Sequence, residues 1–248
     1  MPHLLLNLLL FSVTLLAGLA AMNLPLAEER TMRLLLAFSG SFLLGITLLH
    51  LIPETVEDQG HKAGIFILGG FFLQLLIQRF THGVEHGHNH FHHHSGHAHD
   101  HSIPLYSILG GLAIHSVMEG FPLGFNYRMP GTDPSLYFAV TVHKLPEIII
   151  IGSMLRSVKG NGPQAIAIMV LFAAFTPLSS ILASVLGQRY FAISNVLGAV
   201  IPVVAGAFIH IATTIFYESG TQQHALTRQK LIAIIAGVAL ATITLLFH

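Results

Sequence analysis

Ser135-Leu-Tyr-Phe-Ala-Val-Thr-Val-His143-Lys144-Leu-Pro146-Glu147-Ile-Ile-Ile-Ile-Gly-Ser-Met-Leu-Arg156 is apolar over a membrane's width, yet carries a histidine, a lysine and a glutamate at its middle. The hydrocarbon core of a bilayer is about 30 Å thick and is matched by about 20 residues of helix. Ionisable side chains at that depth are expensive and mark an ion or substrate path by default. The stretch therefore predicts a membrane helix built around a functional group of charges.

Seven further stretches approach the same length, giving eight at roughly 3–22, 33–52, 62–80, 104–125, 135–156, 163–187, 191–217 and 228–247. Turn or charge signals separate them: Pro25 with Glu28, Glu29 and Arg30, Pro53 to Gly60, Asn126 to Pro134, Lys159 to Pro163, Gln188 with Arg189, and Ser219 to Gln223. The third stretch is the least regular because it holds Gln74 and Gln78. Composition agrees, since 53% of residues are hydrophobic and only 9% charged, where a soluble domain carries roughly a quarter charged. The expected fold is an all-α polytopic membrane protein of eight helices, a single transmembrane domain over residues 1–248. Net charge is zero, so no nucleic-acid partner is expected. With no cysteine, disulfides, thiolate zinc sites and thiol catalysis are excluded.

Basic residues set the expected orientation. Arg30, Arg33, Arg79, Arg156, Lys159, Arg228 and Lys230 fall in or beside the odd-numbered loops, and Lys62, Arg128 and Arg189 in the even ones. The excess puts the odd loops in the cytoplasm and both termini outside. The first stretch lacks a basic leading region and a small-residue cleavage site, so it is read as a span and not as a signal peptide. Loop three, residues 81–103, is a low-complexity tract with histidines at His86, His88, His90, His92, His93, His94, His97, His99 and His101. Such a tract builds no core and is expected to be disordered and cytoplasmic. Its imidazoles suit capture of Zn²⁺, Ni²⁺ or Cu²⁺, against the plainer reading of disordered filler.

A second charged motif lies in the fourth stretch, His115-Ser-Val-Met-Glu119-Gly120-Phe-Pro122. As with His143 and Glu147, a histidine precedes a glutamate by four residues, which puts both on one helix face about one turn apart. Two such helices facing each other offer two imidazole nitrogens and two carboxylates, a set suited to Zn²⁺ and tolerable for Fe²⁺, Mn²⁺ or Cd²⁺. Pro122 and Pro146 each free a backbone carbonyl one turn back, which membrane proteins tolerate where it faces protein or a water-filled path. The competing reading is of two satisfied polar pairs that help helices pack.

Weaker candidates flank these motifs. His50 and Glu54, with Glu57 and Asp58 following, would gather cations at an entrance, or would simply end a helix in water. His210 and Glu218 in the seventh stretch would line a path, or would be packed polar residues. Lys144 either points into the site or turns outward and snorkels to the interface.

Taken together, the chain resembles the ZIP (Zrt/Irt-like) metal transporters along its whole length. The His-x-x-x-Glu-Gly, His-x-x-Pro-Glu and His-Leu-Ile-Pro-Glu motifs and the histidine-rich third loop carry the likeness. The resemblance implies a 3+2+3 helix bundle, metal ligands at His115, Glu119, His143 and Glu147, and a homodimer in the plasma (inner) membrane. It also implies uptake of Zn²⁺ into the cytoplasm, by an elevator-like motion of the fourth and fifth helices with their neighbours. The metal is then a transported substrate, and no organic cofactor is expected. Two-metal members of the family usually have Asn where Ser116 stands, an acid where Lys144 stands and Glu where Thr176 aligns. Ser116 and Lys144 therefore imply one metal in the site, with an ammonium in place of the second.

Other classes fit less well. His90-Phe-His92-His93-His94 looks like a hydroxylase histidine box, but such enzymes need several boxes, and the His-Glu-x-x-His of intramembrane metalloproteases is absent. Cation-diffusion exporters have a histidine-rich loop too, but resemble six spans with a soluble C-terminal domain. A metal sensor that does not transport shares every feature above. Transport, with no enzymatic activity, is the expectation.

Overall fold

The computed structural model describes residues 2–24, 28–81, 105–124, 133–218 and 227–247. Among the described residues every regular element is helical. In chain order these are α1 (Pro2–Asn23), α2 (Glu29–Ile46), α3 (Ile52–Gln59), α4 (Lys62–Thr81), α5 (Leu105–Leu123), α6 (Asp133–Lys159), α7 (Pro163–Arg189), α8 (Phe191–Glu218) and α9 (Arg228–Thr244). Among the described residues, six helical stretches are long and apolar enough to cross a bilayer; the apolar run of α5, Ile108–Leu123, and the 17 residues of α9 are shorter. The protein is an all-α membrane protein. The histidine tract lies outside the described residues, apart from the helical residue Thr81 at its start.

One boundary differs from the sequence reading. The second stretch does not break at Pro53; it widens into a π turn over Thr47–Leu51 and continues as α3 to Gln59. Proline cannot bond to the carbonyl four residues back, here Leu49, and its ring crowds that carbonyl. The wider turn, in which the Ile52 N–H reaches back to the Thr47 carbonyl, lets the helix pass the proline. Gly60, at φ +60°, then closes α3 in a backbone conformation that favours glycine.

Packing puts the two motif helices at the centre. α5 packs on α7, α4 and α8, and α6 packs on α1 and α2, while α4 pairs with α8 and α2 with α9. At Gly120 the backbone of α5 meets α7 so closely that a Cβ would strike the Thr176 carbonyl and the Ser179 hydroxyl. Small residues at such crossings are how membrane helices gain van der Waals contact where no hydrophobic force joins them.

A buried polar joint ties α1, α5, α6 and α7 together. Asn7 Nδ2 donates to the Tyr137 hydroxyl at 2.8 Å, which lies 3.0 Å from Ser180 Oγ, and His3 Nε2 meets the Leu123 carbonyl at 3.0 Å. Tyr137→Phe should cost about 1 kcal/mol and lower the melting temperature in detergent by about 2–4 °C. Metal affinity should not change, because the phenol is not among the groups that meet below. An unchanged melting temperature would show that the joint carries no energy.

Candidate metal centre

His115, Ser116 and Glu119 project from α5, and His143, Lys144 and Glu147 from α6; all six are buried. Helical spacing explains how each set shares a face. His115 and Glu119 are one turn apart, as are His143 and Glu147, and Lys144 is three residues before Glu147. The packing of α7 behind Gly120 and of α1 and α2 on α6 turns both faces inward.

Glu119 is the hub. Its Oε1 lies 3.1 Å from His115 Nε2 and 3.5 Å from His143 Nε2. Ligands on a tetrahedral Zn²⁺, with bonds of about 2.1 Å, stand about 3.4 Å apart, and these two distances bracket that edge. One donor atom from each of His115, Glu119 and His143 falls within 4.8 Å of the others. Although His115 and Glu119 are close, their contact lacks the alignment of a hydrogen bond, and both His115 Nε2 and His143 Nε2 are buried without one. Such atoms normally find a partner. Here both lie beside Glu119 Oε1, an arrangement that suits a cation better than it suits helix packing.

Lys144 closes the other side. Its ammonium donates to Ser116 Oγ at 2.7 Å and to Glu147 Oε2 at 2.5 Å, and sits 2.7 Å from Glu119 Oε2. The side chain thus points inward and does not snorkel. Glu147 is joined to Glu119 through Lys144, and is not itself in the compact His115/Glu119/His143 group. Its second oxygen, Oε1, is buried without a hydrogen bond and keeps its capacity to accept a further partner. With neutral imidazoles, two carboxylates against one ammonium leave a single net negative charge in the cluster.

The weaker candidates are placed elsewhere. His50 is buried on the π turn with Nε2 2.8 Å from Thr244 Oγ1, so it faces α9. Glu54 is half-buried, and Glu57 and Asp58 are exposed at the end of α3. Asp58 lines a surface cleft with Lys62 and Asn195. His210 meets Gln78 across the α4–α8 contact, and Glu218 ends α8 with its side chain outside the description. His86, His88, His90, His92, His93, His94, His97, His99 and His101 all lie outside the described residues. Thr176, which the sequence reading named only as the position where two-metal members carry Glu, has a buried hydroxyl that makes no hydrogen bond and a backbone that abuts Gly120, next to Glu119. Gln74 and Gln78 were legible only as blemishes in an apolar stretch.

A family model described as ZIP zinc transporter matches residues 3–105 and 83–244, nearly the whole chain. No curated protein gives a match.

Proposed function

Because the chain belongs to the ZIP zinc transporter family, whose members move divalent metal ions, we propose that it carries Zn²⁺ into the cytoplasm, one ion at a time, through His115, Glu119, His143 and Glu147. The observation that carries this reading is the buried meeting of His115, Glu119 and His143 within 4.8 Å, with imidazole nitrogens left unbonded. The metal arrives at these three donors, and Glu147 turns its spare oxygen toward it. Lys144 keeps the empty site from holding two uncompensated carboxylates, whose burial without a partner would be costly. With the metal bound the site holds one net positive charge, which discourages a second ion and keeps the first from binding too tightly to leave.

In this reading all eight apolar stretches span the plasma (inner) membrane, both termini lie outside, the tract is cytoplasmic, and the protein works as a homodimer without catalytic activity. The uneven spread of basic residues supports the orientation. Glu54, Glu57 and Asp58 gather the cation at the outer end of α3. Uptake of labelled Zn²⁺, Fe²⁺, Mn²⁺ and Cd²⁺ into proteoliposomes of known orientation tests the reading. Saturable uptake with Zn²⁺ preferred is expected; fluxes equal to those of empty liposomes would end it.

The histidine tract is a reservoir off the path in this account. Deleting residues 82–101 should leave the uptake rate within about twofold and lower the metal retained per chain, as expected of weak flexible ligands. Loss of uptake in purified liposomes, where nothing is left to regulate, would place the tract on the path.

A further inference from the structure

The contact between α4 and α8 holds polar groups that the centre above does not use. His210 is 5% exposed, and its Nε2 lies 2.8 Å from Gln78 Oε1. A carboxamide oxygen only accepts, so Nε2 carries the proton and Nδ1 keeps a bare lone pair. That Nδ1 is buried with no hydrogen bond. A histidine that donates one ring N–H to a carbonyl and holds the other nitrogen bare is oriented as metal-ligating histidines are.

Gln74 is fully buried, and neither its amide oxygen nor its amide nitrogen has a hydrogen bond. It sits three residues after Phe71 and four before Gln78. Phe71 meets the His210 ring edge to face at 4.8 Å, and Gln78 bonds to it. Residues three and four apart share a helix face, so Gln74 lies on the stripe that His210 covers. The crossing is tight one turn away on each helix: a Cβ on Gly70 would strike the Val203 carbonyl, and one on Gly206 the Ile67 carbonyl. Backbone contact there fixes the spacing of Gln74 and His210. Orphaned amide groups are costly to bury, and hydrocarbon offers them no relief. For packing alone, leucine would serve better at this position.

Depth gives the cluster a place on a path. At 1.5 Å of rise per residue, Gln78 and Gln74 stand about 5 and 10 Å from the end of α4, whereas His115 and Glu119 stand about 15 and 21 Å from the start of α5. Both helix ends adjoin the histidine-rich loop.

We propose that His210 Nδ1 and the Gln74 carboxamide oxygen form a second, weaker site for a divalent cation, between the His115/Glu119/His143 centre and the histidine tract. Two neutral donors, one nitrogen and one oxygen, attract a borderline cation without holding it as carboxylates would. The site deepens the transport reading by giving the ion its next station after the centre. Gln78 is a positioning residue that fixes the His210 tautomer.

The test is equilibrium binding of ¹⁰⁹Cd²⁺ to the full chain in detergent, with the centre disabled by His115→Ala and Glu119→Gln and the tract histidines changed to serine. One weak equivalent per chain is expected. Adding Gln74→Leu, which keeps the bulk and removes the donor, should weaken it at least 10-fold, and Gln74→Glu should tighten it at least 10-fold. Binding indifferent to both changes, or no binding in the parent, overturns the proposal. Because the centre is disabled in every variant compared, the outcome does not depend on whether the centre transports.

Discussion

Glu119→Gln should lower metal uptake into proteoliposomes at least about 100-fold while leaving membrane insertion and helical content unchanged. Glu119 touches His115, His143 and Lys144 at once, and the change removes the only charged donor in the compact group. Losing partners that merely orient a ligand already costs about 10–100-fold in metal affinity, so losing the charged ligand itself should cost more. His115→Ala should have a similar effect, and so should Glu147→Ala if its free oxygen completes the shell. Uptake by Glu119→Gln within a few-fold of the native rate would remove the cluster from the path.

Lys144→Asp should change how many ions the site holds. In the native cluster one divalent ion takes the net charge from one negative to one positive. With aspartate the empty cluster has three carboxylates, and two ions bring it to the same single positive charge. The variant should therefore bind two ions per chain by calorimetry, the first at least 10-fold more tightly, and should turn over more slowly. It should also be less stable without metal, since removing one partner of a buried ion pair costs about 3–5 kcal/mol. Metal should restore that loss, so the melting temperature should rise more on adding Zn²⁺ than it does for the native chain. Lys144→Met separates charge from packing, keeping one ion per chain while losing stability. Unchanged stoichiometry and affinity in Lys144→Asp would show that the ammonium does not stand in for a second ion.

The helical fold was legible because length and hydropathy alone decide what can cross hydrocarbon, and residues 135–156 meet that test with charges at their middle. The two histidine–glutamate motifs were legible because a spacing of four is one helical turn. What the sequence left open depends on neighbours. Lys144 follows His143 by about 100° around the helix, so it could turn inward or outward until Ser116, Glu119 and Glu147 were seen around it. Pro53 reads as a stop, yet a π turn leaves no mark in composition. The partner of His50 is Thr244, 194 residues away, and nothing local announces it. Likewise Gln74 and Gln78 gain meaning only once the crossing at Gly70 and Gly206 brings His210 onto their stripe.

Zinc K-edge X-ray absorption bears most directly on the centre. The sample is the full chain loaded with one equivalent of Zn²⁺, its tract histidines changed to serine. A mixed shell is expected, with two imidazole nitrogens at about 2.0–2.1 Å and carboxylate oxygens at about 2.0–2.2 Å, and the imidazole signal should drop in His143→Ala. A shell without imidazole, or one that His143→Ala and Glu119→Gln leave unaltered, would mean that the metal is held somewhere else.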